Sequence, residues 1–428
     1  MKIKRVVHYI ALVLILISSS NCSGQDAAVE IYNYPFVNYN LNKVQFFNDS
    51  IDFYGFFRKL DKLIQTGKGK LNVVHFGGSH IQADVWSGQM RENFNQFINQ
   101  KTAARGWVYP FKLGFTRNNN PHNYEFKYSG KWDGCRGVFA SCSGNLGMNA
   151  IKTTTYDSSA GFTFTLTPTG NTDYVFDRIK VFYDIHHQSY EIGLDSPYFA
   201  SQVYTNKAGG YTEFVFEKPM KEVSFRLMKT DSLQNVFTLF GMYTDLDAPG
   251  INYNAIGANG ASVPTYLKCN LLEQQLNAIQ PDLIVFSVGI NDAFDPNFCQ
   301  TCFENNYRQW LDIIRRAAPN AAILFTTNTD SYKRGRKNRY YQNVTGLEVK
   351  SAMQKLSHEY NTGVWDIFSI MGGLGSMEFW YRQHMAARDR VHLTGTGYRL
   401  LGDLMFNAFI KKYEDYLTLP IARIKHDD

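Results

Sequence analysis

Ser79 stands after two glycines, Gly77-Gly78-Ser79-His80, at the end of an apolar run. A serine hydroxyl is a poor nucleophile until a base takes its proton. A candidate base lies far along the chain, in Asp389-Arg390-Val391-His392. An imidazole such as that of His392 can act near neutral pH. Asp389, three residues earlier, is spaced to reach the imidazole Nδ1, fix its tautomer and stabilise the imidazolium. A tetrahedral intermediate also needs donors at its oxyanion. Three are expected: the backbone N–H of Ser79, the backbone N–H of Gly260 in Gly257-Ala258-Asn259-Gly260-Ala261-Ser262, and the side-chain amide of Asn291 in Gly289-Ile290-Asn291-Asp292. Glycine at 260 permits the close backbone approach this role requires. Alone, each fragment reads as an ordinary turn or cap. Together, in this order and each at an element boundary, they read as machinery for acyl transfer through a serine.

The elements that must position these residues are legible around them. Residues 71–76 and 282–288 read as short apolar strands. In an open parallel sheet, ligands bind beyond the carboxyl ends of the strands, where Ser79 and Asn291 would fall. Phe53, Phe56, Phe57, Leu60 and Leu63 recur at helical spacing and end at Gly67 and Gly69. Met90, Phe94 and Phe97 suggest a second helix, Leu267, Leu271 and Leu276 a third, and Trp310, Ile313 and Ile314 a fourth. Residues 323–327 and 363–368 read as strands, and a last helix runs over 394–413. Between 118 and 247 the pattern changes to strand after strand, as at 162–166, 178–184, 212–217, 222–228 and 236–242, with Gly, Pro and Asn turns. That spacing predicts a β-sandwich or jelly roll. Strand–helix alternation on both sides of a β block predicts one α/β domain, residues 25–117 and 248–428, interrupted by an inserted β domain at 118–247.

Composition narrows the class. Aromatics make up 15% of the 428 residues, with 27 Tyr and 32 Phe, which leans toward strands and a glycan ligand. Residues 1–24 read as an export leader: Lys2, Lys4 and Arg5 precede an apolar run too short to span a bilayer, and small residues follow. Cleavage before Cys22 would give a lipidated cysteine and so a membrane anchor; cleavage after Gly24 would not. Without the leader's three basic residues the formal charge falls from +6 to +3, which is no nucleic-acid signature. A local run, Lys333-Arg334-Gly335-Arg336-Lys337-Asn338-Arg339, makes Arg334, Arg336, Lys337 and Arg339 candidates for contact with an anionic polymer, against the plain alternative of a solvated loop. In an oxidising compartment Cys135 can pair with Cys142, and Cys299 with Cys302. A single Cys-x-x-Cys lacks the second ligand pair of a zinc site, so no metal site is expected.

These four blocks resemble those of the SGNH (GDSL) hydrolase superfamily, whose Ser, Gly, Asn and His would fall on Ser79, Gly260, Asn291 and His392. His75-Phe76-Gly77-Gly78-Ser79-His80-Ile81-Gln82-Ala83-Asp84, Asn259-Gly260-Ala261-Ser262 and Asp389-Arg390-Val391-His392-Leu393-Thr394 resemble one branch more closely, the bacterial peptidoglycan O-acetylesterases. The resemblance covers residues 70–117 and 236–404. It implies a three-layer, flavodoxin-like parallel sheet with a β-rich, carbohydrate-binding-like insertion, for which the 181 positions between Ser79 and Gly260 leave room. It further implies an exported esterase, periplasmic or associated with the outer membrane of a Gram-negative bacterium. Such an enzyme would remove O-acetyl groups from peptidoglycan or another polysaccharide without metal or organic cofactor. An O-acetyltransferase, a lipase or thioesterase, and a glycan-binding protein with a degenerate site are the rivals. One departure stands out: the family usually has Asp where this chain has Gly78. Restoring it by Gly78→Asp is expected, on sequence alone, to raise activity or leave it level.

Overall fold

The computed structural model describes residues 28–47, 51–114 and 121–420. The leader, Cys22 and the boundary expected at 118 lie outside the described residues. The central sheet has six strands in the spatial order Val44–Gln45, Gly363–Trp365, Ala322–Thr326, Leu283–Ser287, Lys70–Gly77, Gly250–Gly257. Only the Val44–Gln45 edge is antiparallel to its neighbour. Numbered along the chain, the five parallel strands run 2-1-3-4-5, the flavodoxin-like order, whose switch point lies between the first strand and the third. Those are Lys70–Gly77 and Leu283–Ser287. Their register, and that of the edge strand, sets Gly77 beside both Gly257 and Ser287. Three of the four blocks therefore leave the sheet at one level.

Side-chain alternation builds the outer layers. Leu71, Val73, Leu283 and Val285 point to one face and join Phe57, Leu60, Phe94 and Phe409 from the helices Ile51–Thr66, Trp86–Phe97 and Gly395–Leu417. Val74, Phe76, Ile284 and Phe286 point to the other, where Leu272–Ile279, Gln300–Ala317 and Thr345–Glu359 supply Leu276, Trp310 and Leu356. Two details differ from the sequence reading. Leu267 and Leu276 belong not to one helix but to two, Val263–Leu267 and Leu272–Ile279, with Leu271 at the start of the second, because the chain turns at Cys269 and Asn270 between them. The strand expected over 363–368 stops at Trp365, where the Asp366 carboxylate accepts the Ser369 N–H and starts the helix Ile367–Ile370.

The inserted β domain consists of two packed antiparallel sheets. One holds seven strands, among them Phe176–Tyr183, Tyr211–Met220 and Phe237–Asp245; the other holds four, Tyr124–Ser129, Gly161–Leu166, Glu191–Leu194 and Glu222–Met228. Phe126, Phe162, Phe164, Phe176, Phe214 and Phe225 fill the space between them. Gly106–Val108 pairs with Phe237–Asp245, so this layer takes in chain ahead of residue 118.

The insert is not hung on a tether. The outer face of its larger sheet carries Phe182, Tyr211 and Phe240, which share one apolar cluster with Trp107, Tyr266, Leu272 and Leu276. A buried ionic knot adds to the seam. The Asp84 carboxylate, five residues past Ser79, accepts bonds from Arg91 (3.0 and 3.1 Å), Arg105 (2.7 Å), Asn123 (2.8 Å) and Ser87 (2.6 Å). Burial works against its charge, but the two guanidiniums hold the carboxyl well below its usual range. Removing one partner of such a cluster leaves an uncompensated buried charge, a change that costs about 3–5 kcal/mol in comparable pairs. Both expected cysteine pairs are bonded, Cys135 to Cys142 and Cys299 to Cys302.

Candidate active site

Ser79 is the first residue of a four-residue helix, Ser79–Gln82, whose start is fixed by the Gly78 carbonyl accepting the Ile81 and Gln82 N–H groups (3.2 and 3.0 Å). Its Oγ lies 2.8 Å from His392 Nε2, and His392 Nδ1 lies 2.7 Å from Asp389 Oδ2. The second Asp389 oxygen accepts the backbone N–H groups of Val391 and His392 (2.9 and 3.0 Å). This tight turn is how a spacing of three residues lets the carboxylate face the ring. Partial burial pushes the Asp389 carboxyl up, but these bonds outweigh it and hold the carboxyl below its usual range. Asp389 therefore stays ionised wherever the imidazole works. Thr394 caps the last helix by accepting the Gly397 N–H (3.2 Å) and anchors the turn by donating to the His384 carbonyl (2.9 Å).

The glycine and asparagine blocks close on the same point. Gly260 has φ +81°, the left-handed region that favours glycine. The Asn259 N–H is held by Gln82 Oε1 (2.7 Å), and the Tyr266 hydroxyl donates to the Gly77 carbonyl (2.6 Å). Asn291 Nδ2 donates one hydrogen to the Ala261 carbonyl (2.8 Å), which leaves its second N–H for another acceptor. A Cβ built on Gly78 would lie 2.8 Å from Asn291 Nδ2, so the amide rests directly against the nucleophile turn. The structure thus brings together Ser79, His392 and Asp389, and packs the Gly260 and Asn291 loops against them.

That contact reverses the expectation for Gly78. An aspartate here would push its Cβ into the Asn291 amide before its carboxylate did anything useful. Gly78→Asp is expected to lower kcat on p-nitrophenyl acetate by about 10-fold or more, because displacing one oxyanion donor costs rate. A kcat at or above wild type would show that Asn291 yields without consequence.

Asp292 follows Asn291 and is 8% exposed; its oxygens receive the Val263 N–H (3.2 and 3.4 Å). Burial pushes its carboxyl up to about 7 despite that bond. The folded protein then keeps this proton at pH values where the unfolded chain, with a carboxyl near 4, has lost it. Stability should fall as pH rises from about 4 to about 7 and level off above. Asp292→Asn lacks the titrating group, so calorimetry should show a smaller drop in Tm between about pH 4.5 and 7.5 than in wild type. An equal or larger drop would contradict this.

Two site residues carried no role in the sequence reading. His80, 5% exposed, stacks on the His392 ring (centroids 5.4 Å apart, planes at 24°), and its Nδ1 lies 3.0 Å from the Tyr398 hydroxyl. Burial, then the neighbouring His392, lowers its pKa to about 3, so it offers the base a neutral face. The signal was present: His80 adjoins the serine, and Tyr398 lies one turn into the helix that follows His392.

The basic run forms a hairpin, Tyr332–Arg334 paired with Tyr340–Gln342, and Arg334, Arg336, Lys337 and Arg339 are all exposed on it. None of the four is bonded to the triad residues; Arg334, for one, donates to Asn338 (3.1 Å). The hairpin's base, however, holds the loop that carries Asp389 and His392. The Tyr332 N–H donates to the Arg390 carbonyl (3.0 Å), and the Arg390 guanidinium lies between the Tyr340 and Tyr381 rings, 4.2 Å from each, and pairs with Glu378 (2.6 Å). On the other side Lys333 reaches over the Phe294 ring, three residues beyond Asn291.

Residues 239–400 match the GDSL-like Lipase/Acylhydrolase family. No curated protein matches the chain in sequence. Among solved structures, a peptidoglycan O-acetylesterase is similar over 87% of this chain and 99% of its own, with 19% identity and a TM-score of 0.71. A lipase/acylhydrolase from Enterococcus faecalis (22% identity, 39% of this chain and 78% of that one, TM-score 0.30) and an acetyl xylan esterase (22%, 38% and 82%, 0.30) align over smaller parts. The first likeness is one of fold and spans both the parallel-sheet layer and the β insert. The family match takes in the glycine, asparagine and histidine blocks, and the serine strand is seated beside them in the same sheet.

Proposed function

We propose that this protein is an exported esterase that removes O-acetyl groups from a polysaccharide, with the glycan strands of peptidoglycan as first candidate. The observation that carries the reading is the hydrogen-bonded series from Ser79 through His392 to Asp389 at the switch point of the sheet. In the proposed cycle His392 takes the Ser79 proton as Oγ attacks the acetyl carbonyl. Ser79 N–H, Gly260 N–H and the Asn291 amide receive the oxyanion. His392 returns its proton to the departing sugar hydroxyl, leaving acetyl-Ser79. Water, deprotonated by His392, then releases acetate and restores the serine. Residues of this chain suffice for each step.

Support for a polymer comes from the large insert and from the likeness to a structure described as a peptidoglycan O-acetylesterase. Support for export comes from the basic and apolar leader and the two disulfides. The exposed cations on the hairpin fit a substrate bearing carboxylates, which stem peptides supply.

The test is acetate release from O-acetylated peptidoglycan and O-acetylated xylan, each with and without an acceptor glycan. Release from peptidoglycan with no gain from acceptor is expected. Acetyl transfer to the acceptor would make the protein a transferase, and release from neither polymer would sink the proposal. Replacing Arg334, Arg336, Lys337 and Arg339 together by Gln should slow the peptidoglycan reaction about 3- to 10-fold at low salt. The difference should vanish near 0.5 M salt, since exposed charges are screened there. A salt-independent loss would mean the hairpin acts by structure, not by charge.

A further inference from the structure

One short loop of the insert lies against the glycine block. Between Cys135 and Cys142, which are bonded to each other, the chain makes a turn in which the Phe139 N–H donates to the Arg136 carbonyl (3.0 Å) and the Cys142 N–H to the Phe139 carbonyl (3.3 Å). The loop meets the glycine block at two points and the end of the helix Val263–Leu267 at a third. Arg136 Nη2 donates to the Asn259 carbonyl (2.6 Å), Lys268 Nζ donates to the Gly137 carbonyl (2.9 Å), and Val138 Cγ1 lies 3.9 Å from where a Gly260 Cβ would stand. The half-buried Val138 packs into the apolar cluster common to both domains. The next residue, Phe139, does the opposite. The residue is 54% exposed, and the Arg136 guanidinium lies 5.1 Å from its ring centroid.

A large apolar ring stands in water on a loop held by a disulfide, a lysine and an arginine, and such a ring invites a role. Its position supplies one. Asn259 and Gly260 carry the expected oxyanion donor, so the carbonyl of a bound acetyl group would lie beside them, with the sugar that bears it one ester bond away. We infer that Phe139, backed by Arg136, is a stacking platform on the insert for the pyranose ring next to the acetylated hydroxyl. The inference rests on the polysaccharide reading above and deepens it. A pyranose offers an apolar face of C–H groups that an aromatic ring can cover, while its hydroxyls and any acyl oxygen stay free to meet polar groups. Arg136 has two duties. It pins the loop to Asn259, and its charge lies against one part of the ring so that the remaining face is presented outward. On this view the insert supplies part of the acceptor site for the sugar, and the basic hairpin at the His392 side supplies the opposing wall.

Sugar affinity tests this without using the reaction. The full chain carrying Ser79→Ala is titrated calorimetrically with the β-1,4-linked hexamer of N-acetylglucosamine, which has no O-acetyl group to lose. Saturable binding is expected. Adding Phe139→Ala should weaken it about 10-fold, whereas adding Phe139→Trp, which keeps an aromatic face, should hold affinity within about 3-fold. Equal affinities for the Ala and Phe forms, equal weakening by Ala and Trp, or no saturable binding by the Ser79→Ala parent would each overturn the platform. Acetate release by the wild-type protein is measured separately, so failure of the platform is distinguishable from failure of the esterase reading.

Discussion

Ser79→Ala is expected to lose kcat on p-nitrophenyl acetate by about 10⁴- to 10⁶-fold while the protein keeps its melting temperature within a few degrees. His392→Ala should fall to the same floor, and the double variant should lie no lower. The reason is geometric. Ser79 Oγ and His392 Nε2 are 2.8 Å apart, so a single proton transfer couples them, and neither residue does useful work without the other. What activity remains comes from the oxyanion donors and from holding the ester, which neither substitution removes. Steady-state kinetics with a fluorophosphonate label as control checks this. Additive losses in the double variant, or labelling of Ser79→Ala at the wild-type rate, would refute the assignment of nucleophile and base.

Asn291→Ala comes next in size, with an expected loss of about 10²–10³ in kcat and a modest change in KM. In the resting site this amide already spends one hydrogen on the Ala261 carbonyl, which aims the other. A donor oriented in advance is worth more to a developing oxyanion than to a ground-state carbonyl, so the loss belongs in kcat. The experiment is a kcat and KM pair on p-nitrophenyl acetate. A loss confined to KM would make Asn291 a substrate-binding residue instead.

Much of this was legible in the sequence, for reasons that separate one element from another. The strands at 71–76 and 282–288 are apolar on both faces because helices cover both, and a run of that kind announces itself. The nearby strand Gly250–Gly257 does not. Its Asn252 and Asn254 are buried but polar, spent on Tyr243 and Asp245 and on Val73 and Trp107 respectively, so hydrogen bonds with the insert replace the apolar pattern a strand would show. The Asp389–His392 pair was readable because its spacing is local, and Ser79 because its glycine-rich block ends an apolar strand. The contact between Gly78 and Asn291 was not, since it joins positions more than 200 apart and depends on where two loops meet. The loop around Phe139 was hidden for the same reason. Nothing near it in sequence mentions Asn259.

The strand order also fixes a timetable. In the finished sheet Lys70–Gly77 lies between Gly250–Gly257 and Leu283–Ser287, and Val44–Gln45 pairs only with Gly363–Trp365. No two neighbours in the central sheet are therefore made before the insert has been made. A ribosome must add 173 residues between Gly77 and Gly250, which at ordinary rates takes roughly 9–35 s. Throughout that interval the serine strand has two open edges and no partner, a form that invites association with other chains. The insert, by contrast, has all its mutual partners in hand by Asp245, and its docking face then stands ready as the surface on which the late strands and helices assemble. The parallel-sheet half of the molecule is thus the last to exist, and a chain cut short anywhere before the Gly250–Gly257 strand would display Ser79 on a strand with no neighbour to hold it.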